Sequence, residues 1–333
     1  MALLQYIIGR IASYLVVLFI GITITFFLPR FMPSDPIEQY IFQLQSQAGQ
    51  SMSPEEISAM RETLSQIYGL DGTLFTQYIG FLKRVVLQFD FGPSLSSFPT
   101  PVMEFILRAL PWTLGLLLTT TLISWTLGNL IGLVAGYFHD SKAANAMEVV
   151  GVIVYPIPYY IVALVLILLF GYVWMLFPLT TTIRPGPLTY EKVRQILYNS
   201  FLPAVSLIVV GLGFNILSMK ALAFSHKEEG YVTFAKLKGT PARTTMLSYV
   251  GRNSLLPQIT GLTLSLGAIF GGALLIEILF SYPGMGLLMR TAASSGDYNM
   301  LYGTIVMTIV AVATATLVLD LIYPLFDPRI RYR

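Results

Sequence analysis

The sequence predicts an all-α integral membrane protein with six transmembrane helices and a helical extracytoplasmic insertion between the first and the second. Charged residues make up only 11% of the 333 and hydrophobic ones 55%, whereas soluble domains carry about 25% charged residues. Several stretches run for about 18 residues or more without a charge, the length a helix needs to cross a hydrocarbon core of about 30 Å. Charge, Pro and Gly clusters punctuate these stretches, giving spans at about 11–28, 112–137, 148–177, 201–223, 257–280 and 301–323. The chain then divides into an N-terminus with the first helix (1–28), the insertion (29–111), a five-helix core with a loop at about 224–256 (112–323), and a short tail (324–333).

Arg10 precedes the first apolar run, which continues to Leu28. Pro29, Arg30 and Phe31 follow with no small-residue cleavage site, so the run reads as an uncleaved span. An even number of spans puts both termini on one side. With that side cytosolic, the inner segments hold eleven Lys and Arg residues, from Arg10 and Lys142 to Arg329, Arg331 and Arg333. The countable outer loops hold four, because a loop of about 80 residues is too long to influence orientation. The net charge is +3 with the basic residues dispersed, which gives no footprint for nucleic acid. Cysteine is absent, which excludes disulfides, thiolate metal sites and a cysteine nucleophile.

Within the insertion, Ser53 stands three residues before Glu56, and Ile57, Met60, Leu64 and Ile67 follow at helical spacing. This is a capped amphipathic helix. A second apolar stretch, from Thr73 to Phe89, follows Asp71 and Gly72, and the turn-rich run FGPSLSSFPTP closes the segment. Sustained periodicity favours a folded helical cap over a disordered linker. In the second span Gly128, Gly132 and Gly136 share a helix face at four-residue spacing, the pattern of close helix packing. Pro156 and Pro158 interrupt the third span and should bend it.

Between spans four and five, Tyr231, Val232, Phe234, Ala235 and Leu237 alternate with Lys236 and Lys238. Gly239, Thr240 and Pro241 then break the run. Two short helices about a glycine turn, beside the mouth of the fifth span, predict a projecting knob suited to a partner. These residues carry a family resemblance. Tyr231, Val232, Ala235, Lys236, Lys238 and Gly239, followed by Arg252, Asn253, Ser254, Leu255, Leu256 and Pro257, resemble the cytoplasmic signature of permease subunits of ATP-binding-cassette importers, in the oligopeptide/dipeptide/nickel group. Glu277, Phe280, Pro283, Gly284, Gly286 and Leu288 are similar to a second stretch of that group, with Asp297 and Tyr298 after it. Asp320, Tyr323 and Asp327–Arg331 are similar to its ending, and Arg10 with Pro33, Asp35 and Pro36 to its opening. Phe234 and Leu237 depart by replacing small residues, and Thr233 by replacing a charge.

The resemblance implies a bacterial plasma-membrane subunit whose 231–254 loop is a coupling helix seated in a groove of an ATPase. There Gly239 permits the turn, Ala235 allows close contact and the cations pair with the partner. It also implies a second related permease, two ATPase subunits that bind ATP and Mg, and an extracytoplasmic substrate-binding protein. Cargo stays open among peptides, oligosaccharides and nickel complexes.

The chain has no phosphate-binding loop of the form G-x-x-x-x-G-K-(S/T), so ATP hydrolysis falls to another polypeptide. No catalytic residue is assigned to this non-catalytic subunit. Glu277, with Pro283, Gly284 and Gly286, is a candidate for a gate or path, set against the favoured reading of a structural hydrogen bond from Glu277 to the loop at Pro283–Gly286. Asp320 reads as an anchor with Arg329 and Arg331. His139 and His226 lie in separate loops and make no metal site. Tyr155, Tyr159, Tyr160, Tyr172 and Trp174 either line a path or belong to the interfacial belt. An ion-coupled transporter would need interrupted helices in two matching halves. An intramembrane enzyme would need a catalytic pair. The sequence displays neither.

Overall fold

The computed structural model describes residues 2–27, 37–38, 41–42, 45, 53–68, 72–183 and 186–326. The Pro33, Asp35 and Pro36 cluster, Asp71 and the tail from Asp327 to Arg333 lie outside them. Among the described residues the structure is helical, with one isolated antiparallel bridge between Pro93 and Pro101. The chain forms two compact units, residues 11–113 with 283–314, and residues 114–282 with the two terminal segments 1–10 and 315–333.

Four described helices are long and apolar enough to cross a membrane: α1 (Ala2–Phe27, over Gln5–Phe27), α4 (Val102–Tyr137), α7 (Tyr190–Lys227) and α12 (Tyr298–Phe326, over Tyr298–Val318). The expected third span is instead two helices, α5 (Lys142–Val154) and α6 (Tyr159–Leu166, continued by a π-helical turn Ile167–Val173), bent by 97°. Pro156 and Pro158 lack the N–H groups that would continue the ladder; Tyr155 is still right-handed helical (φ −53°, ψ −44°), and the chain has left the helical region at Pro158 (φ −59°, ψ 136°). A break replaces the expected bend. The expected fifth span falls on α10 (Arg252–Leu279), whose 28 residues rise about 42 Å.

Two helices begin well before the apolar limits of their expected spans. α4 begins ten residues before position 112 and runs through Pro111, and α7 begins eleven residues before 201 and runs through Pro203. At the start of α7, Thr189 Oγ1 accepts the Lys192 N–H at 3.3 Å, and this N-cap moves the helix start well outside the apolar stretch.

In the unit containing residues 11–113, the expected capping box is present at α2 (Pro54–Tyr68). The Ser53 N–H donates to Glu56 Oε2 (2.8 Å) and the Glu56 N–H to Ser53 Oγ (3.2 Å). Leu64 buries itself with Ile37, Ile41, Leu95 and Tyr298. α3 (Leu74–Leu82), capped by Thr73, continues into a π-helical turn Lys83–Gln88. A second core gathers Ile22, Val85, Phe91, Val102, Ile106 and Val306.

In the unit containing residues 114–282, α4 and α7 meet backbone to backbone. A Cβ added at Gly132 would stand 2.6 Å from the Ile216 carbonyl oxygen, and one at Gly136 2.5 Å from that of Lys220. At Gly128 it would stand 2.5 Å from the Asn215 Cβ. A neighbouring face of α7 repeats the device: a Cβ at Gly213 would lie 2.9 Å from the Tyr155 amide nitrogen, next to the break that ends α5. Glu148 of α5 pairs with Lys220 of α7. α7 is therefore clasped by α4 and α5.

Replacing Gly132 with Val should lower stability by about 1–3 kcal/mol through overpacking, read by SDS-induced unfolding of the purified membrane protein. Gly115, where an added Cβ meets nothing within 4 Å, supplies the control: Gly115→Ala should cost nothing and gain up to about 1 kcal/mol of helix propensity.

Candidate functional site

α7 ends at Lys227, and after Glu228 and Glu229 the chain forms α8 (Gly230–Leu237). Two residues of α8 turn inward. Val232 is fully buried with Leu133, Tyr137, Met219, Ala223 and Val250, and Ala235 is also buried. Outward stand Tyr231, Phe234 and Leu237, 40%, 58% and 81% exposed. Their spacing of three puts them on one face, and two of the three are large apolar groups in the open. Lys236 reaches back over the Tyr137 ring, which Lys227 also faces, whereas Lys238 covers the Phe234 ring at 4.6 Å.

The helix closes in a Schellman motif. The Gly239 N–H donates to Lys236 O (2.9 Å) and the Thr240 N–H to Ala235 O (3.1 Å), with Gly239 at φ +77°. This left-handed conformation favours glycine. The second expected short helix is not separate. From the single turn α9 (Ala242–Thr244) the chain winds through a π-helical turn, Thr245–Gly251, directly into α10. Pro241 starts this run and Thr245 is buried, its hydroxyl 3.2 Å from Pro241 O. Arg252 and Asn253 are exposed at the head of α10. Asn253 Nδ2 donates to Tyr249 O (2.8 Å) and to the Tyr231 hydroxyl (3.2 Å), which also meets His226 Nδ1 at 3.3 Å. Thus the structure joins Tyr231 to Asn253 and turns Val232 and Ala235 away from the open face.

His139 meets Lys227 Nζ and Asp140 Oδ1, each at 3.0 Å, while His226 meets the Tyr231 hydroxyl. Among the described residues no three His, Asp or Glu side chains form a metal cluster.

Within the same unit, α4, the α5–α6 break, α7 and α10 enclose an open cleft of about 330 Å³. Trp125, Tyr155, Tyr159 and Phe214 supply its aromatic surface, and Thr120, Thr121, Ser124, Asn215 and Ser265 its polar one. Among the described residues no Asp, Glu, Lys, Arg or His lines it. The break is what brings Tyr155 and Tyr159 to the cleft, while Tyr160, Tyr172 and Trp174 stay off its lining. The Trp125 indole N–H donates to Gln258 O (3.0 Å), and Gln258 Nε2 donates to Ser218 Oγ (2.7 Å). Hydroxyl and amide groups gathered on helices of membrane-spanning length suit water or a polar solute, because facing lipid would leave them poorly solvated.

Glu277 is fully buried near the end of α10, and its backbone oxygen accepts the Tyr282 N–H at 2.7 Å. Tyr282 shares a hydrogen bond with Ser200 (3.1 Å). Burial raises the pKa of its phenol above the ordinary value; the Ser200 hydrogen bond opposes this and the Glu277 charge adds to it. Pro283, Gly284 and Gly286 belong to the other unit, at the start of α11 (Met285–Ser295). There the Met285 N–H donates to Thr113 Oγ1 at 2.8 Å.

Two further carboxylates have defined roles. Asp320 pairs with Arg10 (3.0 Å), whose guanidinium also covers the Tyr6 ring, and the Tyr6 hydroxyl donates to the Asp320 carbonyl oxygen. Its described ionic partner is thus Arg10, while the expected Arg329 and Arg331 fall outside the described residues. Asp297, matched in the sequence only as part of a motif, is a buried clamp. Its Oδ2 accepts the Ser94 hydroxyl (2.6 Å) and both the N–H and the hydroxyl of Ser96 (3.1 Å each), while Oδ1 caps α12 through the Met300 N–H (3.0 Å). The legible signal was an Asp at a helix start straight after Gly296, a common N-cap arrangement. Removing it as Asp297→Ala should cost about 3 kcal/mol, because three charge-assisted bonds to one buried oxygen and the cap on Met300 are lost together. SDS titration of the solubilised protein reads the loss, and Asp297→Asn should recover about half of it.

The family described as "Binding-protein-dependent transport system inner membrane component" matches residues 128–332, and its N-terminal counterpart matches residues 3–117. Similar proteins include the oligopeptide transport system permease protein AppB of Bacillus subtilis (strain 168), 28% identical over 330 residues, with 98% of this chain and 99% of that protein covered. The dipeptide transport system permease protein DppB of the same organism is 28% identical, with 98% of each chain covered. The inner membrane ABC transporter permease protein YejB of Escherichia coli O157:H7 is 26% identical, again with 98% of each covered.

Proposed function

The chain belongs to the family of binding-protein-dependent transport system inner membrane components, and we propose that it is one permease subunit of an ATP-binding-cassette importer of peptides. In this reading it pairs with a second, related permease in the bacterial plasma membrane. The four long helices, the broken α5–α6 pair and α10 make the six spans. Both termini face the cytosol, as the distribution of Lys and Arg favours, and the insertion at 29–111 faces the binding protein outside. Two ATPase subunits carry ATP and Mg.

The observation that carries the reading is α8: a short helix locked to the chain by Val232 and Ala235 that leaves Phe234 and Leu237 exposed. Exposed apolar anchors beside cations suit a groove on a partner protein. Closure of the ATPases would move α8, and with it α7 and α10, as rigid elements. The cleft lined by Trp125, Tyr155, Tyr159 and Phe214 is the chain's contribution to the path. Its uncharged lining suits amide groups and apolar side chains of many sequences. The peptide names of the relatives AppB and DppB support the cargo class.

Reconstitution with the co-encoded subunits tests the proposal. ATP-dependent uptake of labelled di- to pentapeptides supports it; uptake of only nickel complexes or oligosaccharides would overturn the cargo, and uptake driven by an ion gradient without ATP would overturn the mechanism. Leu237→Asp should reduce uptake at least about tenfold, the scale of losing an interfacial anchor, while the chain's level in the membrane stays unchanged. Uptake and immunoblotting of the same vesicles check both halves of this expectation.

A further inference from the structure

α1 is long and apolar enough to cross a membrane, which puts its uncovered apolar side chains at the depth of hydrocarbon. α3 and its π-helical continuation lie along its second half, within one compact unit. The hydroxyls of Tyr78 and Thr23 meet at 2.7 Å, and the Phe26 ring packs on those of Tyr78 and Phe81 at 5.2 and 5.4 Å. Further along, α1, the Leu82–Phe91 stretch and α12 part around an apolar slot of about 220 Å³. Its floor is closed by Ile22, Val85 and Val306, none more than 5% exposed, and its rim is formed by Leu15, Phe19 and Val86, each at least 50% exposed. An apolar cavity of about 150 Å³ already admits benzene. A slot of this size on a helix at hydrocarbon depth has room for an acyl chain.

Lys83 and Arg84 sit between the lining residues Leu82 and Val85. Neither forms an ion pair with another described residue. The nearby Asp90 carboxylate is engaged by the Gly92 N–H at 2.8 Å. Their long stems allow the cations to reach the headgroup layer while the backbone lies against the apolar slot. We propose that the slot holds one acyl chain of an anionic phospholipid, with Lys83 and Arg84 at its phosphate. This site lies apart from the cleft and from α8, and it goes beyond the importer reading.

The complete transporter, reconstituted in phosphatidylcholine vesicles with a trace of phosphatidylglycerol bearing a diazirine midway along one acyl chain, tests the proposal. After irradiation, peptide mapping should find label concentrated on 82–89 and 306–310. Unlabelled phosphatidylglycerol should compete about tenfold better than phosphatidylcholine, as expected for two cations near a headgroup. The double variant Lys83→Gln, Arg84→Gln should erase that preference and lower the label about tenfold without moving its position, and Met307→Trp, which fills the slot, should remove the label. Label spread evenly over other exposed apolar positions such as Leu130 and Ile153, equal competition by the two lipids, or a preference that survives in the double variant would each overturn the proposal.

Discussion

The close approach of α4 and α7 at Gly128, Gly132 and Gly136 is the constraint on which much of the unit around it depends. Lipid tails are as apolar as the helices, so burial supplies little drive for association, and van der Waals contact between backbones must supply it. Three side-chain-free positions in a row make that contact possible. Any larger residue there would have to displace α7 as a body, since the atoms it meets at Gly132 and Gly136 include backbone carbonyls. Gly213 applies the same logic on a neighbouring face of α7.

From this clasp the remaining features of the unit follow. α7 continues to Lys227 and turns into α8 within a few residues, and the core of Leu133, Met219, Val232 and Val250 ties α8 to α4, α7 and the π-helical turn that leads into α10. A push on α8 is therefore met by elements packed on one another. On the proposed reading this is how work done by a separate ATPase reaches the cleft, whose walls are the same helices. The break between α5 and α6 adds aromatic surface to the cleft, and the close fit of Gly213 beside Tyr155 holds it in place.

Much of this was legible in the sequence because it rests on local chemistry. The Ser53–Glu56 box, the glycine stripe and the Gly239 turn each need a particular residue at a particular spacing, and each is found in the structure. Helix ends were less legible. Hydrophobic runs mark where hydrocarbon begins, while caps such as Thr189 mark where helices begin, and α4 and α7 extend ten and eleven residues beyond the apolar limits. Long-range polar contacts were least legible. Asp297 with Ser94, and Arg10 with Asp320, join positions 203 and 310 residues apart, and no spacing rule connects them. The inward turn of Val232 and Ala235 was hidden for a related reason: a short helix reveals its apolar residues, but only packing decides which of them are covered.

The docking role of α8 is tested most directly by chemical proximity. The chain contains no cysteine, so a single one introduced at Leu237 can be offered a short bismaleimide in membranes holding the complete transporter, with single cysteines introduced on the ATPase surface. The account predicts an adduct between this chain and the ATPase, formed at Leu237 and not at the lipid-exposed control position Leu130, with peptide uptake arrested in proportion to the yield. Equal adduct at both positions, or an adduct that leaves uptake intact, would contradict it.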